Sequence, residues 1–258
     1  MPWYFYLLLT GAGFLAGIIN TLAGSGSLIT LPVLIFLGLP APVANGTNRI
    51  GVVLQNIVAG LSFKRSGVLD VRGALILSIP AVFGSLVGAS IAVNLDKDLM
   101  ERVIGAVMVL MLFVMWLRPQ RWLEGTLLTL EKRISWQQAL VLFAIGMYGG
   151  FIQAGVGIFL LAALVLSVGY DLVHGNAVKI LVILVFTISS LLVFANNDQV
   201  DWAAGLLLGV GNMGGAWVAA RLAVKRGAGW VRWVVIATVA FSAAYLLGLF
   251  DFLIGLFA

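Results

Sequence analysis

The side chains able to do chemistry in this chain are few, mostly uncharged, and gathered around two glycine-rich interruptions. Gly24-Ser25-Gly26-Ser27 breaks an apolar stretch that runs from Gly11 and resumes through Pro32 to Leu34. A helix that begins after such a break leaves its first backbone N–H groups unpaired and turns a partial positive charge towards the break. In a water-poor cavity that arrangement holds an anion without any formal charge. Ser25 and Ser27 add hydroxyl donors, and Asn20 and Thr21 line the approach. A second interruption, Gly155-Val156-Gly157, offers mainly backbone donors, with Gln153 at its approach. The predicted site is therefore asymmetric.

Two further clusters follow the breaks. The stretch ANGTNRIGVVLQN brings Asn45, Thr47, Asn48, Arg49 and Gln55, with Asn56 beside it. Asn45 is either a helix cap or a ligand donor, and Arg49 is costly in a bilayer unless it is paired, snorkelling or facing water. The stretch YDLVHGNAVK brings Asp171, His174, Asn176 and Lys179. A base near the start of the corresponding segment in each half suits an anionic solute. His174 is the one histidine; its reference pKa near neutral allows it to carry protons with Asp171, while an isolated histidine at a helix start also reads as structural.

The elements that must position these residues are hydrophobic helices. The chain has 258 residues, of which 62% are hydrophobic and 10% charged, with a mean hydropathy of +1.12. Soluble domains carry about 25% charged residues, so the composition is that of an integral, all-α, multi-pass membrane protein. There is no cysteine, and one histidine cannot build a histidine metal cluster. No metal and no cofactor is expected. The net charge of +5 resides between hydrophobic segments and does not read as nucleic-acid binding. The N-terminus lacks the positive region of a signal peptide, and Trp3, Tyr4 and Tyr6 read as an interfacial belt.

Apolar segments are expected over residues 4–22, 28–39, 43–63, 73–94, 100–117, 135–152, 157–169, 172–194, 202–223 and 231–250. The second and seventh are too short for an untilted crossing, which takes about 20 residues. Basic residues cluster at Lys64, Arg65 and Arg72, at Arg118, Arg121, Lys132 and Arg133, and at Arg221, Lys225, Arg226 and Arg232. The positive-inside rule wants these on one face. Ten chain passes satisfy it, with both termini outside; fusing each short segment to its predecessor gives eight long spans and does not. Each short pair is either two full crossings or a re-entrant hairpin. Residues 1–117 form the first repeat, 118–134 a cytoplasmic linker or interfacial helix, and 135–258 the second repeat.

A constant offset of 131 residues maps Ala23-Gly24-Ser25-Gly26 onto Ala154-Gly155-Val156-Gly157, Gly38 onto Gly169, Asn45 onto Asn176 and Gly84 onto Gly215. Repeats of five passes are odd in number, so the second is inverted. Interrupted segments at matching places in two halves point to the central site of a transporter. Glycines such as Gly84, Gly88, Gly205, Gly209 and Gly215 read instead as helix-packing positions.

The run GFLAGIINTLAGSGSLITLPVLIFLGLPAPVANGTNRIGVVLQNIVAG and the basic turn after it resemble the TauE/SafE, or sulfite exporter, family. The likeness covers essentially the whole chain, including the degenerate second copy. It implies a bacterial inner-membrane protein that exports or imports sulfite, sulfonates or related organosulfur anions. The chain departs from the family pattern at Ser27, in a place usually glycine, and at Ala163, where Pro32 would map.

The expectation is an inner-membrane secondary transporter of a small anion, working by alternating access, and not an enzyme. The rivals are an anion channel and a structural or sensory membrane protein. The coupling ion is a proton or sodium, and a homo-oligomer is left open. The expected binding residues are Asn20, Thr21, Gly24, Ser25, Gly26, Ser27, Asn45, Thr47, Asn48, Arg49, Gln55, Gln153, Gly155, Gly157, His174, Asn176 and Lys179.

Overall fold

Two short helices fold back on their predecessors, and everything else packs around the resulting hairpins. The computed structural model describes residues 3–116 and 134–223, among which every regular element is helical. The predicted interfacial stretch at 121–133 and the last predicted span at 231–250 lie outside the described residues.

The first half comprises α1 (Trp3–Ala23), α2 (Ser27–Phe36), α3 (Ala41–Arg65), α4 (Val71–Ala92) and α5 (Lys97–Trp116). The second begins with α6 (Trp136–Phe151) and α7 (Val156–Ala163), which runs on into a π turn at Leu164–Val168. Next come α8 (Leu172–Asn196) and α9 (Trp202–Ala223). Four of these, α1, α4, α8 and α9, are long and apolar enough to cross a membrane. Helix α3 has the length, at 25 residues, but buries Asn45, Thr47, Asn48, Arg49, Gln55 and Asn56 along it. Large apolar side chains such as Leu7, Phe83, Leu192 and Leu206 face outwards instead. Polar groups inside and apolar groups outside reverse the usual soluble arrangement, as a bilayer solvent requires.

The helix starts follow local rules. Ser135 and Gln138 form a reciprocal capping box at α6, Asp70 caps α4, and Asp171 caps α8. Helix α3 starts at Pro40 and carries Pro42 in its first turn, where a missing N–H costs nothing.

The register of α6 and α7 settles the first ambiguity. The Gln138 side chain donates to the carbonyl of Ser167 (2.7 Å), so the start of α6 lies beside the end of the π turn. The pair is a hairpin and not two crossings. Helix α6 has 16 residues and spans about 24 Å, short of the roughly 30 Å of a hydrocarbon core. In the first half, Leu9 of α1 shares an apolar cluster with Leu34 and Leu39 at the other end of α2, which makes α1–α2 a hairpin too. The two do not open on the same end. The first shares its open end with the starts of α3 and α9, through Ala44 and Ala204. The second opens beside the starts of α4 and α8, where Tyr170 donates to Asp70 (2.7 Å).

Glycine-lined seams hold the bundle together. A Cβ on Gly84, Gly88, Gly146 or Gly150 would strike a backbone carbonyl across the α4–α6 contact. The same holds for Gly13, Gly17, Gly211 and Gly215 between α1 and α9. Gly205 and Gly209 admit Ile50 and Leu54 of α3. Of these positions, Gly84, Gly88, Gly205, Gly209 and Gly215 are the packing glycines that the sequence suggested. In each seam the numbering rises together on both helices, so α1 runs parallel to α9 and α4 parallel to α6.

Candidate functional site

The tips of the two hairpins touch. Gly24 and Gly155 both adopt left-handed backbone, with φ of 77° and 72°, which glycine alone takes without steric penalty. The amide of Gly157 donates to the carbonyl of Gly24 (3.2 Å). A Cβ on either Gly24 or Gly157 would collide with the backbone of the other. This contact occupies one of the backbone amides expected to face an anion.

On one side of the contact lies Arg49, fully buried on α3. Its guanidinium donates to the carbonyls of Gly149 (3.1 Å) and Gly150 (2.7 Å), to the Ser190 hydroxyl (2.7 Å) and to the Asn45 side-chain oxygen (3.5 Å). The Phe194 ring lies against it, 4.4 Å from centroid to guanidinium carbon. The Asn45 amide donates in turn to the carbonyl of Phe151 (2.8 Å). Those carbonyls end α6, where helical acceptors lack partners and the dipole is negative. A cation from the first half therefore caps the hairpin of the second.

The converse holds on the other side. Lys179 of α8 is fully buried and donates to the carbonyls of Asn20 (3.3 Å) and Thr21 (3.2 Å), which end α1. The Asn20 amide donates to Gln55 (3.3 Å), and Gln55 donates to Asn56 (3.1 Å). Asn176 lies three residues before Lys179 on the same helix face and is 1% exposed. Neither polar atom of its side chain has a partner, nor do Thr21 Oγ1, Ser25 Oγ and Asn56 Nδ2. On the Arg49 side, Arg49 Nε and Gln153 Oε1 are also unpartnered; Gln153 donates to Thr187.

Among the described residues no acidic side chain pairs with either buried cation; the ion pair present is His174–Asp171. A charge left in a low-dielectric interior is costly, and here carbonyl dipoles offset only part of that cost. The arrangement favours a negatively charged visitor. Among the described residues no group of three or more metal-ligating side chains occurs.

Other expected residues stand apart from this centre. The Thr47 hydroxyl accepts from the amide of Asp201, at the start of α9. Asn48 donates to Ser27 (3.0 Å) and accepts from Thr30 (2.6 Å), fastening the first turn of α2 to α3. Gly26 packs against the Ala16 carbonyl and Asn20 of α1. His174, its side chain 45% exposed, pairs with Asp171 at the start of α8. Burial is the largest influence on the Asp171 carboxyl and raises its pKa. Hydrogen bonds from the His174 amide and ring and the Val173 amide, with the charge of the ring, outweigh burial, and the net shift is downwards. Tyr170 beside it is raised, first by burial and then by its bond to Asp70. The buried polar residues that the sequence reading did not single out include Ser190 and Thr187 of α8, which meet Arg49 and Gln153, and Asn212 of α9, which is 1% exposed, with Oδ1 unpartnered, between Gly13 and Gly17 of α1 and Gly51 of α3. The signal for Asn212 was a lone amide in an otherwise apolar, glycine-rich span.

Comparison with known proteins bears on this geometry directly. The family model described as "Sulfite exporter TauE/SafE" matches residues 9–246. The chain belongs to the sulfite exporter TauE/SafE family. It is 27% identical to the probable membrane transporter protein ORF9 of Sinorhizobium sp., over 84% of this chain and 82% of that protein. It is 26% identical to a probable membrane transporter protein of Haemophilus influenzae, over 87% of each. It is also 27% identical to the probable membrane transporter protein YfcA of Escherichia coli K12, over 90% of this chain and 86% of the relative. No solved structure matches. This TauE/SafE protein is thus a multi-pass membrane transporter and not an enzyme, and its buried, acid-free cations accord with anion transport.

Proposed function

We propose that the protein is a secondary transporter of a small anion in the bacterial inner membrane, with sulfite or a short organic sulfonate as the substrate class. The observation that carries this reading is the pair of buried cations. Arg49 and Lys179 flank the touching breaks, and neither has an acidic partner among the described residues. An anion brought to this centre supplies the missing charge.

The transport cycle is alternating access by two inverted repeats, which deepens the same reading. Three features support inversion. The hairpins open on opposite ends. The left-handed glycines fall at matching positions, Gly24 with Gly155 and Gly38 with Gly169. The parallel α1–α9 and α4–α6 seams also exchange equivalent partners between halves: the first helix of each repeat packs on the fourth of the other. Rocking one hairpin-bearing unit against the other would open the breaks to each side in turn. The His174–Asp171 pair, at the start of α8 and away from the breaks, remains the candidate for proton coupling.

Counterflow in proteoliposomes tests the function. Labelled sulfite should accumulate transiently in vesicles preloaded with unlabelled sulfite, and the initial rate should saturate. An ohmic anion current without exchange would make the protein a channel.

A further inference from the structure

We propose that the anion is seated against Lys179 together with Asn176, Thr21 and Asn56, while Arg49 is a fixed strut that keeps its carbonyls throughout. This rests on the reading of the protein as an anion transporter. The two buried cations look equivalent by position and differ in how their donors are used. All the terminal N–H directions of Arg49 have partners in Gly149, Gly150, Ser190 and Asn45, and Phe194 covers one face. Drawing that guanidinium to a ligand would break this set and uncap α6.

Lys179 has three N–H groups and two carbonyl partners, both beyond 3.1 Å. Around it the unpartnered groups are mostly donors: both N–H groups of Asn176, the Thr21 hydroxyl and Asn56 Nδ2, with Asn176 Oδ1 as the acceptor among them. The hydrogen-bond chain Asn20–Gln55–Asn56 ties the end of α1 to α3, and Lys179 ties it to α8. Leu22, Ala59, Ala177 and Ile180 of these three helices share one apolar cluster beside it. Buried amides left without partners are rare and costly. One ammonium with several neutral donors is the complement of a small oxyanion, whose three or more oxygens accept them together. The other half-site offers no such set: its one unpartnered donor is Arg49 Nε, and its Gln153 Oε1 is an acceptor that would repel an anion.

The test uses the purified full-length protein, with sodium sulfite as the probe and the melting temperature in detergent as the readout. Sulfite should raise the melting temperature of the wild type in a saturable way. Asn176→Asp keeps the size of the side chain and places a carboxylate beside Lys179, a built-in substitute for the ligand. This variant should melt above the wild type without sulfite, and its apparent Kd for sulfite should rise by about tenfold or more. Should N176D not fold, Lys179→Gln should fold and lose the sulfite response. A variant that keeps the wild-type response overturns the seat, as does an N176D that melts lower than the wild type. A wild type that neither responds to sulfite or sulfate nor exchanges either in counterflow overturns the transporter reading itself.

Discussion

Arg49 is the residue on which the two halves are most visibly interdependent. Its side chain rises from α3 and ends on the carbonyls of Gly149 and Gly150, a hundred residues away in sequence. A planar fork with several fixed N–H directions suits this task, and a lysine does not replace it. Arg49→Lys keeps the charge but offers at most three donors from one atom. Losing one or two charge-assisted bonds at about 1.5–3 kcal/mol each predicts a destabilisation of about 1.5–6 kcal/mol. The change would be measured as a fall in melting temperature of the ligand-free protein; an unchanged melting temperature would remove Arg49 as a strut. The sequence showed that a base stood there. It did not show the carbonyls at the end of α6 that receive it, because those are brought in by the fold.

At the scale of elements, each hairpin is a long helix, a left-handed glycine and a short helix returning to the same end. Its second helix begins where the backbone is least satisfied, and the side chains that manage this come from α3 and α8. The start of α8 allows a direct electrostatic prediction. The Asp171 carboxyl accepts from the amides of Val173 and His174 and pairs with the His174 ring, and its pKa lies below the usual 3.8. A carboxyl depressed on folding adds stability that is fully present above its unfolded pKa. That stability is lost as pH falls through the lower, folded value. Asp171→Asn preserves a capping oxygen and removes the charge. The melting-temperature gap between wild type and D171N should therefore be at its full size near neutral pH and close as the pH falls below about 3.8. A gap of equal size at pH 3 and pH 7 would mean that the charge contributes nothing.

For the whole molecule, the ends of the helices sort into two sets. One end gathers Lys64, Arg65 and Arg72 around the α3–α4 turn, and Arg221 near the end of α9, whose Ala223 packs with Phe63 and Leu172. The other holds the acidic α8–α9 turn, where Gln199 donates to the Val93 carbonyl (2.9 Å). The positive-inside rule predicts that the basic end is cytoplasmic. With no native cysteine in the chain, single cysteines report topology against a clean background. Cysteines at the exposed positions Ser66 and Gln137 should react with an impermeant maleimide only from the cytoplasm, and one at Asp198 only from outside. Labelling of Ser66→Cys and Gln137→Cys from opposite faces would break the hairpin assignment of α6–α7.

Composition, charge placement and the repeated glycines were enough to establish a helical membrane protein and its two breaks, and the run from Gly13 to Gly60 carried its family resemblance. Each of these is a local or additive property: apolar runs mark spans, glycines mark left-handed turns, and basic turns mark one face. What only the tertiary structure decided is which helix ends those residues meet. Asn48 carries the same amide as Asn45, and Thr47 a hydroxyl close by, yet the fold turns them to Ser27, Thr30 and Asp201, while of these three only Asn45 reaches the opposite hairpin. His174 lies five residues from Lys179 and pairs with Asp171, its side chain 45% exposed where the lysine is buried. Helical rotation and inter-half packing set those differences, and spacing along one chain does not contain the partner that a side chain finds on another.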